Sequence, residues 1–307
     1  MVAATGEQYL LEGGGYRAVV TEGGAVLRSL EYAGRPLVDG FAEAEIPRGC
    51  RGQLLIPWPN RIRDGAYTFD GVDQQLPLTE PARRNASHGL VRWSPWNLEE
   101  HTDHSVVLTH RLMAQYGYPW TLDLHAVYDV SADGLTVTLS ATNLSPQRAP
   151  YAVGAHPYLL VGDAGIDGLE LTLPAATRLL VDDRQLPMGR EPVDGTDYDF
   201  RMPRPIRDTV FDHGFTDLTK DPAGGVTVSL RDPATGHGVA LWGDHHVSWL
   251  QVFSQDDGTA TARRAIAVEP MTAPADAFNS GDDLHVLAPA GDDGDTLSVA
   301  WGLRALE

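Results

Sequence analysis

The chain has 307 residues, of which 42% are hydrophobic and 21% charged, and its formal net charge is −19. A surface with this charge repels phosphate backbones and anionic membranes, so we expect neither nucleic-acid binding nor peripheral membrane association. No apolar run is long enough to cross a bilayer, and a single cysteine, Cys50, excludes an internal disulfide framework.

The N-terminal residues show no basic region followed by a long apolar run, so we predict no secretory signal and expect a cytoplasmic location. Cys50 is interpreted as a small buried residue rather than a nucleophile, because no base lies near it in the sequence. No repeat, charge run or linker divides the chain. Residues 1–307 are therefore predicted to form a single domain.

Short segments with alternating apolar and polar residues run along the whole chain, and this alternation is typical of half-buried strands. The clearest of them cover residues 105–112, 121–130, 135–141, 226–230, 247–253 and 296–301. Turn-forming pairs such as Asp70-Gly71 and Asp133-Gly134 separate such segments. No helical apolar stripe is sustained, and 21 prolines and 32 glycines disfavour long helices. The pattern predicts an all-β protein, either a sandwich or a barrel.

Two titratable residues directly precede prolines and lie beside short apolar runs, namely His156 and Glu269. The residue before a proline is held in extended backbone, so we expect each side chain to be fixed at the end of a strand. Apolar surroundings shift the pKa values of such groups toward those that suit proton transfer near neutral pH. Taken singly, His156 is more often a satisfied core histidine, and Glu269 could pair with Arg263 or Arg264.

Three further segments carry side chains suited to a polar ligand. Arg61 follows two prolines, and a guanidinium on a stiff backbone suits hydrogen bonding to such a ligand, although surface arginines usually pair with acids. His88 precedes Gly89, where the backbone can approach a ligand closely. Asp212 lies between two phenylalanines.

These segments, in this order, resemble the aldose 1-epimerases, the galactose mutarotase family, from about residue 10 to the C-terminus. The resemblance is carried by Asn60-Arg61-Ile62 with Tyr67, Phe69 and Gly71, by His88-Gly89, by Gly154-Ala155-His156-Pro157-Tyr158, by Asp212-His213-Gly214-Phe215, and by Glu269 with residues 274–279. It implies a large antiparallel β-sandwich, the galactose mutarotase-like supersandwich. It also implies an isomerase that interconverts the α and β anomers of free aldohexoses such as glucose or galactose.

The resemblance also implies roles for single residues. Glu269 would be the general base at the C1 hydroxyl, and His156 the general acid at the ring oxygen. His88 would lie near the ring oxygen, while Arg61 and Asp212 would bind sugar hydroxyls. The chemistry needs one proton removed and one delivered, so no metal or organic cofactor is expected.

Other residues near the motifs are candidates for substrate contact. Asn60 belongs to the same motif as Arg61, and Asp217 is a rival for the role of Asp212. Four aromatic residues could stack on the apolar face of a pyranose: Trp58, Trp93, Tyr158 and Phe278. The pairs His101/His104 and His245/His246 lack the further ligands that a metal site requires, so we predict no metal.

Departures from the family pattern around His88, Arg61 and Glu269 leave the preferred sugar open. A hexose-6-phosphate 1-epimerase would need a basic pocket, for which Arg83, Arg84 and Arg92 are candidates, but such enzymes usually lack the motif at residues 274–279. A non-catalytic carbohydrate-binding protein would not need both proton-transfer groups. A polysaccharide hydrolase or lyase would need a long open cleft. The partner is expected to be a monosaccharide, with the protein a monomer or a homodimer.

Overall fold

The computed structural model describes residues 2–307, and strands dominate it. The strands of the first half are β1 (Gln8–Gly13), β2 (Tyr16–Thr21), β3 (Leu27–Tyr32), β4 (Arg35–Pro36), β5 (Leu54–Leu55), β6 (Arg61–Arg63), β7 (Ala66–Phe69), β8 (Val72–Gln75), β9 (Asn85–Ser87), β10 (Asn97–His101), β11 (Ser105–Leu112), β12 (Leu122–Ser131) and β13 (Gly134–Asn143). Those of the second half are β14 (Ala149–Tyr151), β15 (Gly154–Ala155), β16 (Tyr158–Leu159), β17 (Glu170–Thr172), β18 (Ala175–Val181), β19 (Pro187–Pro192), β20 (Arg204–Pro205), β21 (Asp212–Leu218), β22 (Val226–Arg231), β23 (Gly238–Gly243), β24 (Trp249–Phe253), β25 (Ile266–Met271), β26 (His285–Leu287) and β27 (Thr296–Leu306). A short helix, α1, covers Ala277–Ser280.

Two large antiparallel sheets form the body of the molecule. One has nine strands in the order β10-β11-β12-β13-β27-β23-β22-β17-β20. The other has eight strands and follows the order β19-β18-β21-β24-β25-β15-β5, with β16 also pairing with β25. A four-stranded sheet, β1 to β4, and three two-stranded pairs complete the fold.

The two large sheets share one core, because apolar residues alternate along their strands. Leu124 of β12 and Leu139 of β13 belong to the same buried cluster as Val252 of β24 and Val268 of β25. This arrangement confirms the predicted all-β sandwich. All six predicted strands are present, and the strand predicted at residues 105–112 has the observed bounds of β11. In residues 2–307, no helix is long and apolar enough to span a membrane.

Strand β25 is buried on both faces, and the two faces contact different parts of the molecule. Ile266 and Val268 point into the shared core. Because side chains alternate along a strand, Glu269 lies on the opposite face. The prediction that Glu269 ends a strand is wrong, since β25 continues to Met271. The extended backbone imposed before Pro270 fits the interior of a strand as well as its end.

Candidate active site

A cavity of about 630 Å³ lies against the face of the eight-stranded sheet that points away from the core. This volume is typical of a small-molecule site. Strands β21, β24 and β25 contribute Asp212, Gln251, Phe253 and Glu269 to its wall. The segments at residues 49–50, 60–61, 79–92 and 156–158 supply much of the remaining wall.

The register of the sheet places the polar side chains of this wall beside one another. Gln251 of β24 is directly opposite Glu269 of β25. Asp212 lies one strand further along, opposite Phe253. The Gln251 side-chain amide donates a hydrogen bond to Asp212 Oδ1 at 3.0 Å. Burial raises the pKa of Asp212, and the charge of Arg61 partly offsets this effect.

His156 and Glu269, 113 positions apart in the chain, are in direct contact. His156 Nε2 lies 3.2 Å from Glu269 Oε1, and the two residues are only 5% and 2% exposed. Burial lowers the pKa of His156 to about 3. Burial also raises the pKa of Glu269 well above its usual value, and the charge of Asp212 adds to this increase. Low dielectric therefore disfavours the charged form of both groups.

The pair holds one proton that either side chain can carry. A protonated glutamate beside a neutral imidazole and a carboxylate beside an imidazolium contain the same number of protons. Because Nε2 and Oε1 are only 3.2 Å apart, the two groups interact closely, and their titration belongs to the pair rather than to either residue. Glu269 Oε2 and His156 Nδ1 have no hydrogen-bond partner in the described part of the chain. With one shared proton, the pair can give a proton at one side chain and accept one at the other.

His88 is fixed by backbone contacts in an unusual conformation. Its φ is 59° and that of Asn60 is 57°, both in the left-handed region that is uncommon outside glycine. The Asn60 N–H donates to His88 Nδ1 at 3.1 Å, so a neutral His88 carries its proton on Nε2. Burial, followed by the charges of His156, Arg92 and Arg61, lowers the pKa of His88 well below its usual value. His88 is therefore a neutral hydrogen-bond donor.

Arg61 is held by Glu80 in a two-point contact. Its Nε and Nη2 donate to the two carboxylate oxygens at 2.8 and 3.1 Å, and its Nη1 donates to Asn60 Oδ1 at 3.1 Å. The side-chain oxygen of Asn60 is thus already bonded, so in this structure Asn60 positions Arg61 and His88. Glu80 could not be recognised in the sequence, because it lies 19 positions from its partner in an acidic chain.

Three of the four aromatic candidates lie outside the cavity wall, which corrects the prediction for Trp58. Trp58 is 2% exposed, and its ring packs edge-on against Phe278 in the core, 5.8 Å between centroids. Trp93 is 58% exposed on the surface. Tyr158 does line the cavity, and its ring stacks on His156 at 5.1 Å. The sequence Pro57-Trp58-Pro59 does not predict whether the tryptophan ring packs into the core or into the cavity wall.

Two further predictions are resolved by position. Asp217 is exposed, accepts a hydrogen bond from Thr177 and is absent from the cavity wall, unlike Asp212. Cys50, predicted to be a small buried residue, is only partly buried and lines the cavity. Its partners come from distant segments, so its surroundings could not be read from the sequence.

Cys50, His88 and His156 each offer a ligand atom within 4.8 Å of the others. Distance alone would allow a metal ion here. However, the hydrogen bond that His88 Nδ1 accepts leaves a proton on Nε2, and coordination requires an unprotonated nitrogen. The hydrogen bonding therefore favours a proton-donating site over a metal centre.

Comparisons with known proteins agree with one another. The sequence profile of the family described as aldose 1-epimerase matches residues 7–292. The chain is 37% identical over 287 residues to the uncharacterized protein YihR of Escherichia coli (strain K12), covering 92% of this chain and 89% of that protein. It is 29% identical over 265 residues to the maltose epimerase of Levilactobacillus brevis, covering 78% and 75%. The crystal structure of a galactose mutarotase-like protein from Clostridium acetobutylicum has the same fold, with a TM-score of 0.84, 18% identity and coverage of 96% and 94%.

Proposed function

Since the chain belongs to the aldose 1-epimerase family, a family of isomerases that act on aldoses, we propose that it is a mutarotase for free aldohexoses such as glucose and galactose. The observation that carries this proposal is the buried contact between His156 and Glu269 in the wall of one cavity. The two oxygens that exchange protons in a cyclic hemiacetal, O1 and O5, are bonded to the same carbon. An acid and a base for this reaction must therefore be neighbours.

Ring opening then proceeds by one proton transfer at each oxygen. From the form of the pair in which the shared proton is on His156, Glu269 removes the proton of the C1 hydroxyl as His156 protonates O5, and the C1–O5 bond breaks. The electron pair of the O1–H bond forms the carbonyl, and the electron pair of the C1–O5 bond stays on O5. The product is the open-chain aldehyde with a free C5 hydroxyl.

Ring closure uses the same two groups with exchanged roles. After rotation about the C1–C2 bond, the other face of the carbonyl meets the C5 hydroxyl. His156 removes the proton of that hydroxyl and Glu269 returns a proton to the carbonyl oxygen. The cycle restores the proton count of the pair, so it consumes no co-reactant and needs no metal or organic cofactor.

The other polar side chains of the wall would hold the sugar in place. His88 would donate its Nε2–H to O5, where a neutral donor stabilises developing negative charge. Arg61 and Asp212 would bind ring hydroxyls, as charged groups form the stronger hydrogen bonds to such ligands. Tyr158, stacked on His156, would limit the rotation of the imidazole.

The proposal is tested by anomer exchange. Freshly dissolved α-D-glucose or α-D-galactose is expected to reach its equilibrium optical rotation faster with catalytic amounts of the protein, and exchange NMR at equilibrium is expected to show the same acceleration. Heat-denatured protein is the control. Sugar binding by calorimetric titration without any change in the exchange rate would instead identify a non-catalytic carbohydrate-binding protein.

The pH dependence should reflect the pair. Because burial lowers the pKa of His156 to about 3, the pair does not gain a second proton in mildly acidic solution, and burial also raises the pKa of Glu269. We expect kcat, corrected for the uncatalysed rate, not to fall as the pH is lowered from about 7 to about 5, whereas a solvated histidine gains its proton near pH 6.5. A decrease in kcat centred near pH 6.5 would contradict this description of the pair.

A further inference from the structure

Arg92 is a cation in the cavity wall without an acidic partner. Its Nη1 donates to Cys50 Sγ at 3.0 Å and its Nη2 to the Ser87 carbonyl at 3.4 Å. Within residues 2–307, no carboxylate oxygen lies within 4.0 Å of its guanidinium nitrogens. A thiol and a carbonyl are neutral acceptors, so Arg92 makes no ion pair within this part of the chain.

The other arginines of the wall contact a carboxylate. Arg61 and Arg83 share Glu80, which lies 3.0 Å from Arg83. The acidic residues of the wall have other partners. Asp256 binds Arg263, Asp257 accepts hydrogen bonds from Thr259, Asp212 accepts one from Gln251, and Glu269 lies beside His156. Among the wall residues that the structure describes, Arg92 is therefore the arginine whose guanidinium contacts no carboxylate and can pair with an anionic ligand.

The position of Arg92 relates it to one part of the sugar. Its partner Cys50 lies within 4.8 Å of ligand atoms of His88 and His156, the two histidines assigned to O5. In a pyranose, O5 is bonded to C1, which Glu269 serves, and to C5, which carries the exocyclic C6. A side chain next to the two histidines would therefore lie at the O5 edge of the ring, beside C5 and its exocyclic C6.

We propose that Arg92 binds an anionic group carried on C6, so that the preferred substrates are hexoses with a phosphate, sulfate or carboxylate at that carbon. This inference rests on the proposed function, because it uses the placement of O1 and O5. A guanidinium suits all three anions, since it presents paired donors to two of their oxygens.

The test compares four sugars in exchange NMR: glucose, glucose 6-phosphate, glucose 6-sulfate and glucuronate, each corrected for its uncatalysed rate. We expect kcat/KM to be about 10- to 100-fold higher for at least one of the anionic sugars than for glucose, which corresponds to one charge-assisted hydrogen-bonded contact. The ranking of the three anions identifies the group that fits.

Variants separate the role of Arg92 from a structural one. Arg92→Gln is expected to lower the ratio of anionic to neutral kcat/KM at least tenfold, mainly through KM, and Arg92→Lys to restore part of that ratio. The matched control is Arg111→Gln, because Arg111 is exposed on β11 and pairs with Asp123 outside the cavity. Thermal unfolding of each variant checks that the fold is kept.

The possible outcomes are distinct. Two results would overturn the role of Arg92 while the proposed function stands. One is that glucose is exchanged and no anionic sugar is preferred to it. The other is that an anionic sugar is preferred but Arg92→Gln does not reduce the preference. Exchange of an anionic sugar without exchange of glucose would support the role of Arg92 but would contradict glucose as a substrate in the proposed function. If none of the four sugars is exchanged, both the inference and the proposed function fail.

Discussion

Replacing Glu269 by glutamine is expected to lower kcat for anomer exchange by about 10²–10⁴-fold, the usual contribution of a positioned proton-transfer group. Glutamine keeps the shape of the side chain but cannot accept the proton of the C1 hydroxyl. KM should change little, because the amide can still contact O1. Exchange NMR on the best substrate gives both constants.

The same substitution should not destabilise the fold. The folded-state pKa of Glu269 is raised above its unfolded value, so its contribution to stability is present at low pH and is lost as pH rises through the folded pKa. Above that pH, the variant is expected to unfold at a temperature equal to or higher than that of the wild type. Glu12→Gln, at an exposed site, is the matched control for both measurements. Full activity of Glu269→Gln would refute the assignment of the base.

His156→Asn is expected to cause a similar loss of kcat, because the two side chains act as a unit. The double variant should then be hardly slower than either single variant, as expected for residues in one proton-transfer step. Multiplicative losses would show that His156 and Glu269 act independently. That outcome would contradict the shared-proton description of the pair.

Gly89→Ala is expected to lower the free energy of unfolding by about 4 kcal/mol or more. Losses this large are exceptional and come from defects such as a collision with the backbone. The φ of Gly89 is 72°, and an added Cβ would lie 2.0 Å from the Ile56 carbonyl oxygen. That oxygen accepts the N–H of Leu90, so it cannot move away without breaking this contact. Because Gly89 follows His88, the rate of anomer exchange should also fall. Urea unfolding measures the first effect.

Gly71→Ala is the control that isolates the collision. Gly71 has a φ of 77°, nearly that of Gly89, but an added Cβ would meet nothing within 4 Å. This variant should cost only the strain of the left-handed conformation, about 1–2 kcal/mol. Equal losses in the two variants would show that the close approach to Ile56 contributes nothing.

The sequence identified the fold and the motifs that surround the cavity because both have local signals. Alternation located the strands, and residues before prolines and glycines marked His156, Glu269 and His88. The motif order then pointed to Arg61 and Asp212, and the structure places all five around one cavity. Their roles remain proposals.

Contacts between distant strands gave no such signal. The hydrogen bond from Gln251 to Asp212 depends on the pairing of β21 with β24. The unpaired charge of Arg92 becomes apparent only when every acidic group around it has been placed. Trp58 was misjudged for a related reason, since a motif does not tell on which side of the chain a ring will pack.

Because β25 contributes one face to the core and the other to the cavity, the sequence changes that this enzyme can tolerate are limited. Its Val268 side belongs to the interior of the sandwich and its Glu269 side to the cavity, so a shift of the strand by one residue would exchange the two. The valine would then face the cavity, and a carboxylate would enter the apolar interior. Insertions and deletions should therefore be tolerated in the loops that flank β25 but not within the strand, and any lineage that keeps the chemistry must also keep the alignment of β25 with β24.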